Sequence, residues 1–113
     1  MASLTTFIKT DPKFYSFFKK ISRIISKNAK KKGLLFLGIN FKNGNIVLYK
    51  GLLLNDLSYL GTVNSDYHAE DLQIFLQTIG VNPAEETMLP ESFVNSPFIF
   101  YILNEEKQEK LVF

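Results

Sequence analysis

Apolar residues recur at Phe14, Phe17, Phe18, Ile21, Ile24 and Ile25, a three-four-three spacing that lines one face of an α-helix. Asp11 can cap the first free N–H groups, and Pro12 fits the first helical position, where its missing N–H costs nothing. Lys30, Lys31 and Lys32 fit a last turn, where positive charge meets the negative helix end, and Gly33 fits the stop beyond it. The pattern predicts a long basic amphipathic helix over residues 12–32. Residues 1–10 read as an N-terminal arm or an extra helical turn.

From residue 34 the period changes to two. Leu35, Leu37, Ile39 and Phe41 share one face of a strand, and the other face, with Leu34 and Phe36, is apolar at its near end. Asn43-Gly44 then predicts a two-residue type I′ turn, since both residues tolerate positive φ. That turn would place Phe41 opposite Ile46 and Ile39 opposite Leu48. Asn55-Asp56 reads as a second turn and LSYLGTV as a third strand. In NSDYHAEDLQIFLQTIG the stripe His68, Leu72, Phe75, Leu76 and Ile79 predicts a second helix that Gly80 ends. Asn82-Pro83-Ala84-Glu85 has the spacing of a capping box before a single turn closed by Pro90. PFIFYIL and KLVF, bracketing NEEKQE, read as a closing hairpin. The prediction is one domain over 1–113. Its fold is a two-layer α+β unit in the order α-β-β-β-α-β-β, with the first helix packed on an antiparallel sheet of about five strands.

Composition narrows the class. Hydrophobic residues are 46% of the 113 and charged residues 21%, which describes a globular chain rather than a disordered one. A net charge of +2 argues against a surface that is basic throughout. The absence of cysteine removes disulfides, thiolate metal sites and cysteine nucleophiles, and fits a reducing, cytoplasmic setting. No run approaches the ~18 apolar residues of a membrane span, and the N-terminus shows no apolar leader core. Eleven Phe and five Tyr with no Trp are a large aromatic load. Either they fill the core or some stay exposed as a contact patch.

Candidate chemistry is sparse. His68 is the single histidine. Asp71 shares its helical face, but Glu70 points about 200° away, so the cluster does not converge on a metal or an acid–base pair. His68 is expected to be structural, at the edge of the core. Asp11, Asp56, Asp66, Glu85, Glu86 and Glu91 form no recognisable catalytic pair, and no glycine-rich loop is built to cradle phosphate. No catalytic residue, cofactor, metal or small-molecule substrate is expected. The strongest charge feature is Lys19, Lys20, Arg23, Lys27, Lys30, Lys31 and Lys32 on the first helix. It is either the solvated side of a core helix, a polyanion-binding face or a surface for anionic membranes.

The last 18 residues, SPFIFYILNEEKQEKLVF, resemble the closing strands of serpins, which carry a Pro-Phe-x-Phe-x-Ile run. The likeness implies a pair of strands and no function. The order α-β-β-β-α-β-β is similar, as topology alone, to type III secretion chaperones and to profilin- and roadblock-like modules. That resemblance implies a sheet edge or helix face used for association. The expected function is a non-enzymatic protein-interaction module, as a homodimer or as a small subunit or adaptor of a larger assembly. Nucleic-acid binding by the lysine-rich helix is the alternative, and membrane-surface binding by the same helix is the third reading.

Overall fold

The computed structural model describes residues 12–52, 56–64 and 69–112. Helix α1 spans Pro12–Lys27. Phe14, Phe17, Phe18, Ile21 and Ile25 are buried and Ile24 packs against them, so the three-four stripe does face the core. The helix ends at Lys27 and not at Lys32. Asn28 ends it by folding back: its Nδ2 donates to the Ile24 carbonyl at 2.8 Å, and its backbone N–H reaches the Ile24 and Ile25 carbonyls. An Asn side chain competes in this way with helical bonding. Lys30, Lys31 and Lys32 therefore lie in a turn beyond the helix. Gly33 is needed for another reason than a helix cap. Its φ is +122°, and a Cβ there would collide with the Gly51 carbonyl.

Strands β1 (Leu34–Asn40) and β2 (Ile46–Gly51) form the expected hairpin, with a longer loop. Ile39 pairs with Ile46 and Leu37 with Leu48. Only Gly44 takes a positive φ, so Asn43 does not enter a type I′ turn. The side chains of Asn40 and Asn43 accept from the backbone N–H groups of Lys42 and Asn45, both at 2.9 Å, which holds a loop over residues 41–44. The register moves by two positions, not one, so the residues that remain in the strands keep their predicted faces, whereas Phe41 falls in the loop and is exposed.

Strand β3 (Ser58–Val63) pairs with β2, and β4 (Phe98–Leu103) pairs with β1. Among the described residues the sheet has four strands, all antiparallel, in the order β3-β2-β1-β4. Helix α2 (Ala69–Thr78) ends at Gly80, φ +85°, with the Val81 N–H closing onto the Leu76 carbonyl. Two sequence expectations fail here. Asn82–Glu85 is no capping box: Pro83 bridges to Tyr101, Ala84 donates to the Phe100 carbonyl, and Glu85 caps the 3-10 turn Glu86–Met88 without a side-chain bond. The closing hairpin is also absent. After the one-turn helix α3 (Glu91–Val94) and β4 comes helix α4 (Glu105–Glu109). Asn104 caps it by accepting the Lys107 N–H, and Glu105 and Glu106 sit at its positive end. The fifth strand does not form, because Leu111 follows α4 into the core instead of joining the sheet.

The two faces of the sheet are covered differently. Leu35, Leu37, Ile39, Ile46, Leu48, Tyr101 and Leu103 meet α1 and α2, where Phe18 lies against Phe75 at 4.7 Å. On the other face Phe93 of α3 stacks on Phe100 at 4.2 Å and touches Tyr49 at 4.8 Å. Gly38 admits the Phe100 ring, which a Cβ would displace. Phe14, Phe17, Phe18, Phe36, Phe75 and Phe100 are thus buried, on one face or the other. Phe93 and Phe98 are half-buried, and Phe41 is 53% exposed.

Tyr101 is fully buried with no hydrogen-bond partner of sound geometry for its hydroxyl. Burial raises its pKa above the usual 10.0, and the nearby Gln73 side chain opposes this only in part. The native phenol stays neutral while the unfolded one ionises near pH 10, so stability present below that pH is lost as pH rises above it. Tyr101→Phe should raise stability by about 1 kcal/mol at neutral pH and flatten the alkaline decline. Thermal melts between pH 7 and roughly pH 11 check both.

Candidate functional site

Lys19, Lys20, Arg23 and Lys27 are all exposed. At 100° per residue they fall within an arc of about 100°, opposite the buried stripe of α1. The Lys19 ammonium lies 5.5 Å from the Tyr15 ring centre, which fixes one end of this surface. Lys30, Lys31 and Lys32 are exposed as well, in the turn after the helix. The seven predicted residues thus form a helical stripe of four and a turn of three, not one continuous helix face.

Below that turn the chain encloses a cleft of about 450 Å³. Ile25, Ser26 and Ala29 line it from α1 and the turn, with Lys32 at its edge; Glu105, Gln108, Glu109 and Val112 line it from the C-terminal segment. Lys50 of β2 completes it and is only 5% exposed. Strand alternation puts Lys50 on the same side as Ile46 and Leu48. Its side chain passes along the core edge to the end of α1, where Nζ donates to the Asn28 carbonyl at 3.4 Å. The carbonyls at a helix C-terminus carry partial negative charge and favour such a cation.

Helix α4 forms the other wall and is anchored by its polar side chains. Gln108 Nε2 donates to the Gly33 carbonyl at 3.0 Å and to the Leu103 carbonyl at 2.9 Å. Lys107 Nζ donates to the Ile79 carbonyl at 2.9 Å, just past the end of α2. None of Lys50, Glu105, Gln108 or Glu109 was singled out from sequence. Lys50 was readable, because Ile46-x-Leu48-x-Lys50 places a charge at an inward strand position.

His68 lies outside the described residues, as do Asp11 and Asp66. Asp56, Glu85, Glu86 and Glu91 are all exposed, and of them only Glu85 and Glu86 adjoin in sequence. Among the described residues no three His, Asp or Glu side chains cluster at metal-binding range, and no helix is long and apolar enough to cross a membrane. No protein-family model matches the chain, and no match is found among curated proteins or solved structures.

Gln108→Ala removes both anchoring bonds and leaves two part-buried carbonyls unfilled. It should cost about 2 kcal/mol and raise amide exchange across residues 105–112, read by thermal melting and hydrogen–deuterium exchange.

Proposed function

We propose that the chain is a non-enzymatic protein-interaction module whose sheet is extended at β3 by a second copy of the chain. The observation that carries this reading is the difference between the two sheet edges. Beside β4 run Pro83 and Ala84, which bond to it. Beside β3 no strand lies on the outer side among the described residues. Its sequence, Ser-Tyr-Leu-Gly-Thr-Val, holds no charge and no proline, two of the devices that keep an edge from pairing, although a bulge at Leu60 interrupts its ladder with β2. Tyr59 is 57% exposed and Leu52, at the neighbouring end of β2, is 66% exposed, so apolar area adjoins the free backbone groups. An added antiparallel strand would satisfy those groups and cover those side chains. A role as small subunit or adaptor uses the same edge, and the absence of cysteine accords with the cytoplasm.

Light scattering tests it. The purified protein should show twice the chain mass. Ser58→Lys with Thr62→Lys, both at exposed positions, should give a monomer with an unchanged melt, because like charges would face each other across the edge. A wild-type monomer at high concentration overturns the reading.

The exposed basic residues favour a second reading, contact with nucleic-acid phosphates. The stripe of four and the turn of three offer point charges for a backbone and little to read bases with. Binding to duplex DNA should then weaken with salt at a slope near −0.9 per phosphate neutralised. Replacing Lys27, Lys30, Lys31 and Lys32 by Ala should lower that slope, measured by fluorescence anisotropy. Membrane-surface binding by α1 is less favoured, since its apolar stripe already lies in the core.

A further inference from the structure

The cleft at the end of α1 contains a group that the interaction surfaces do not use. Lys50 is nearly fully buried, yet among the described residues its ammonium makes one bond, at 3.4 Å, to the Asn28 carbonyl. A full charge-assisted bond is ~2.8 Å, and an ammonium has three donors. The long stem is buried while the side chain lines the open cleft, so its polar end can meet a ligand there. Glu105 and Glu109 line the same cleft without pairing to Lys50, and Gln108 spends both amide hydrogens on Gly33 and Leu103. The donors left over belong to a side chain that lines an open volume of about 450 Å³.

We propose that this cleft binds an aliphatic monocarboxylate, with its carboxylate on Lys50 and its body against Ile25, Ala29 and Val112. The carboxylate accepts from the Lys50 ammonium, and the apolar wall suits a short branched chain. Lys32 at the edge adds a second, solvent-screened positive charge. Glu105, Glu109 and the negative end of α1 oppose any further negative charge, so the site selects one charge over two. Phosphate and dicarboxylates are disfavoured for that reason. The same chemistry can come from a free acid or from the carboxyl terminus of a peptide ending in an aliphatic residue.

Two-dimensional amide NMR titration tests the site. The ligands are isovalerate, isovaleramide, succinate, inorganic phosphate, N-acetyl-Ala-Leu and the amide of that peptide. Isovalerate or the peptide acid should give saturable shifts at Ala29, Lys50, Gln108 and Val112. Both amides should bind at least about tenfold more weakly, for the loss of one charged hydrogen bond, and succinate and phosphate at least about tenfold more weakly because of their additional charge. If the peptide acid binds and isovalerate does not, the natural source is a chain terminus. Lys50→Met should weaken binding at least tenfold and retain the fold, since a buried cation gives way to an apolar chain of similar length. If that variant fails to fold, Ala29→Trp, from an exposed position, should fill the cleft and abolish binding. The proposal is overturned if neither monocarboxylate saturates, if Lys50→Met or Ala29→Trp binds as the wild type does, or if phosphate or succinate binds more tightly.

Discussion

Strand β1 is buried on both faces, its run from Leu35 to Ile39 lying out of solvent. A sheet with an apolar centre on both sides must be covered twice, and that requirement places the remaining elements. Helices α1 and α2 cover one side with a full hydrophobic layer. The other side has no long helix, so it is covered by rings. Phe93 supplies the cap from a single helical turn, and Phe36, Tyr49 and Phe100 close around it. Rings suit this task because one side chain buries a large area at little cost in conformational entropy. Part of the aromatic excess follows from that economy of secondary structure, while Phe14, Phe17, Phe18 and Phe75 belong to the helix-covered layer. Gly38 belongs to the same solution, since the strand must yield space where Phe100 crosses it.

Covering the sheet leaves helix ends near the core, and the chain treats two of them alike. The carbonyls at the end of α1 face the Lys50 ammonium, and those at the end of α2 face the Lys107 ammonium. Each lysine comes from an element distant in sequence, so each also ties two parts of the chain together. The bonds differ in quality. Lys107 donates at 2.9 Å and Lys50 at 3.4 Å. Each ammonium makes one such bond, and what sets Lys50 apart is its place on the wall of the cleft. Lys107 does not line that cleft, although the residue types are the same.

The parts legible in the sequence were those with sustained periodicity. The stripe of α1, the alternation of β1 and β2, the third strand and the stripe of α2 all appear where the pattern put them. Short segments were misread, because a few apolar residues cannot distinguish a strand from the approach to a one-turn helix. KLVF looked like a strand, but Asn104 with two glutamates after it made a helix start, and Leu111 was left to dock. Asparagine explains two further misses: Asn28 stopped α1 early, and Asn40 lengthened the hairpin loop, each by bonding its own neighbouring backbone. The basic residues were legible as exposed charge. The cleft was not, since Lys50 and Gln108 are far apart in sequence and only the fold brings them to one wall.

The candidate surfaces share one end of the sheet, and this constrains how they could act together. Lys50 pairs across the ladder with Ser58, the first residue of β3. Ile24 of α1 lies over Gly61 of β3, close enough that an added Cβ would sit 3.2 Å from its terminal methyl. A strand joining the outer side of β3 would therefore stiffen the ladder position beside Lys50 and the strand on which α1 rests. The basic stripe rides on the same helix. All three surfaces thus adjoin β3. Gly61, on the edge strand itself, sets how closely helix and edge approach, so the spacing between the basic stripe and the edge depends on a residue without a side chain.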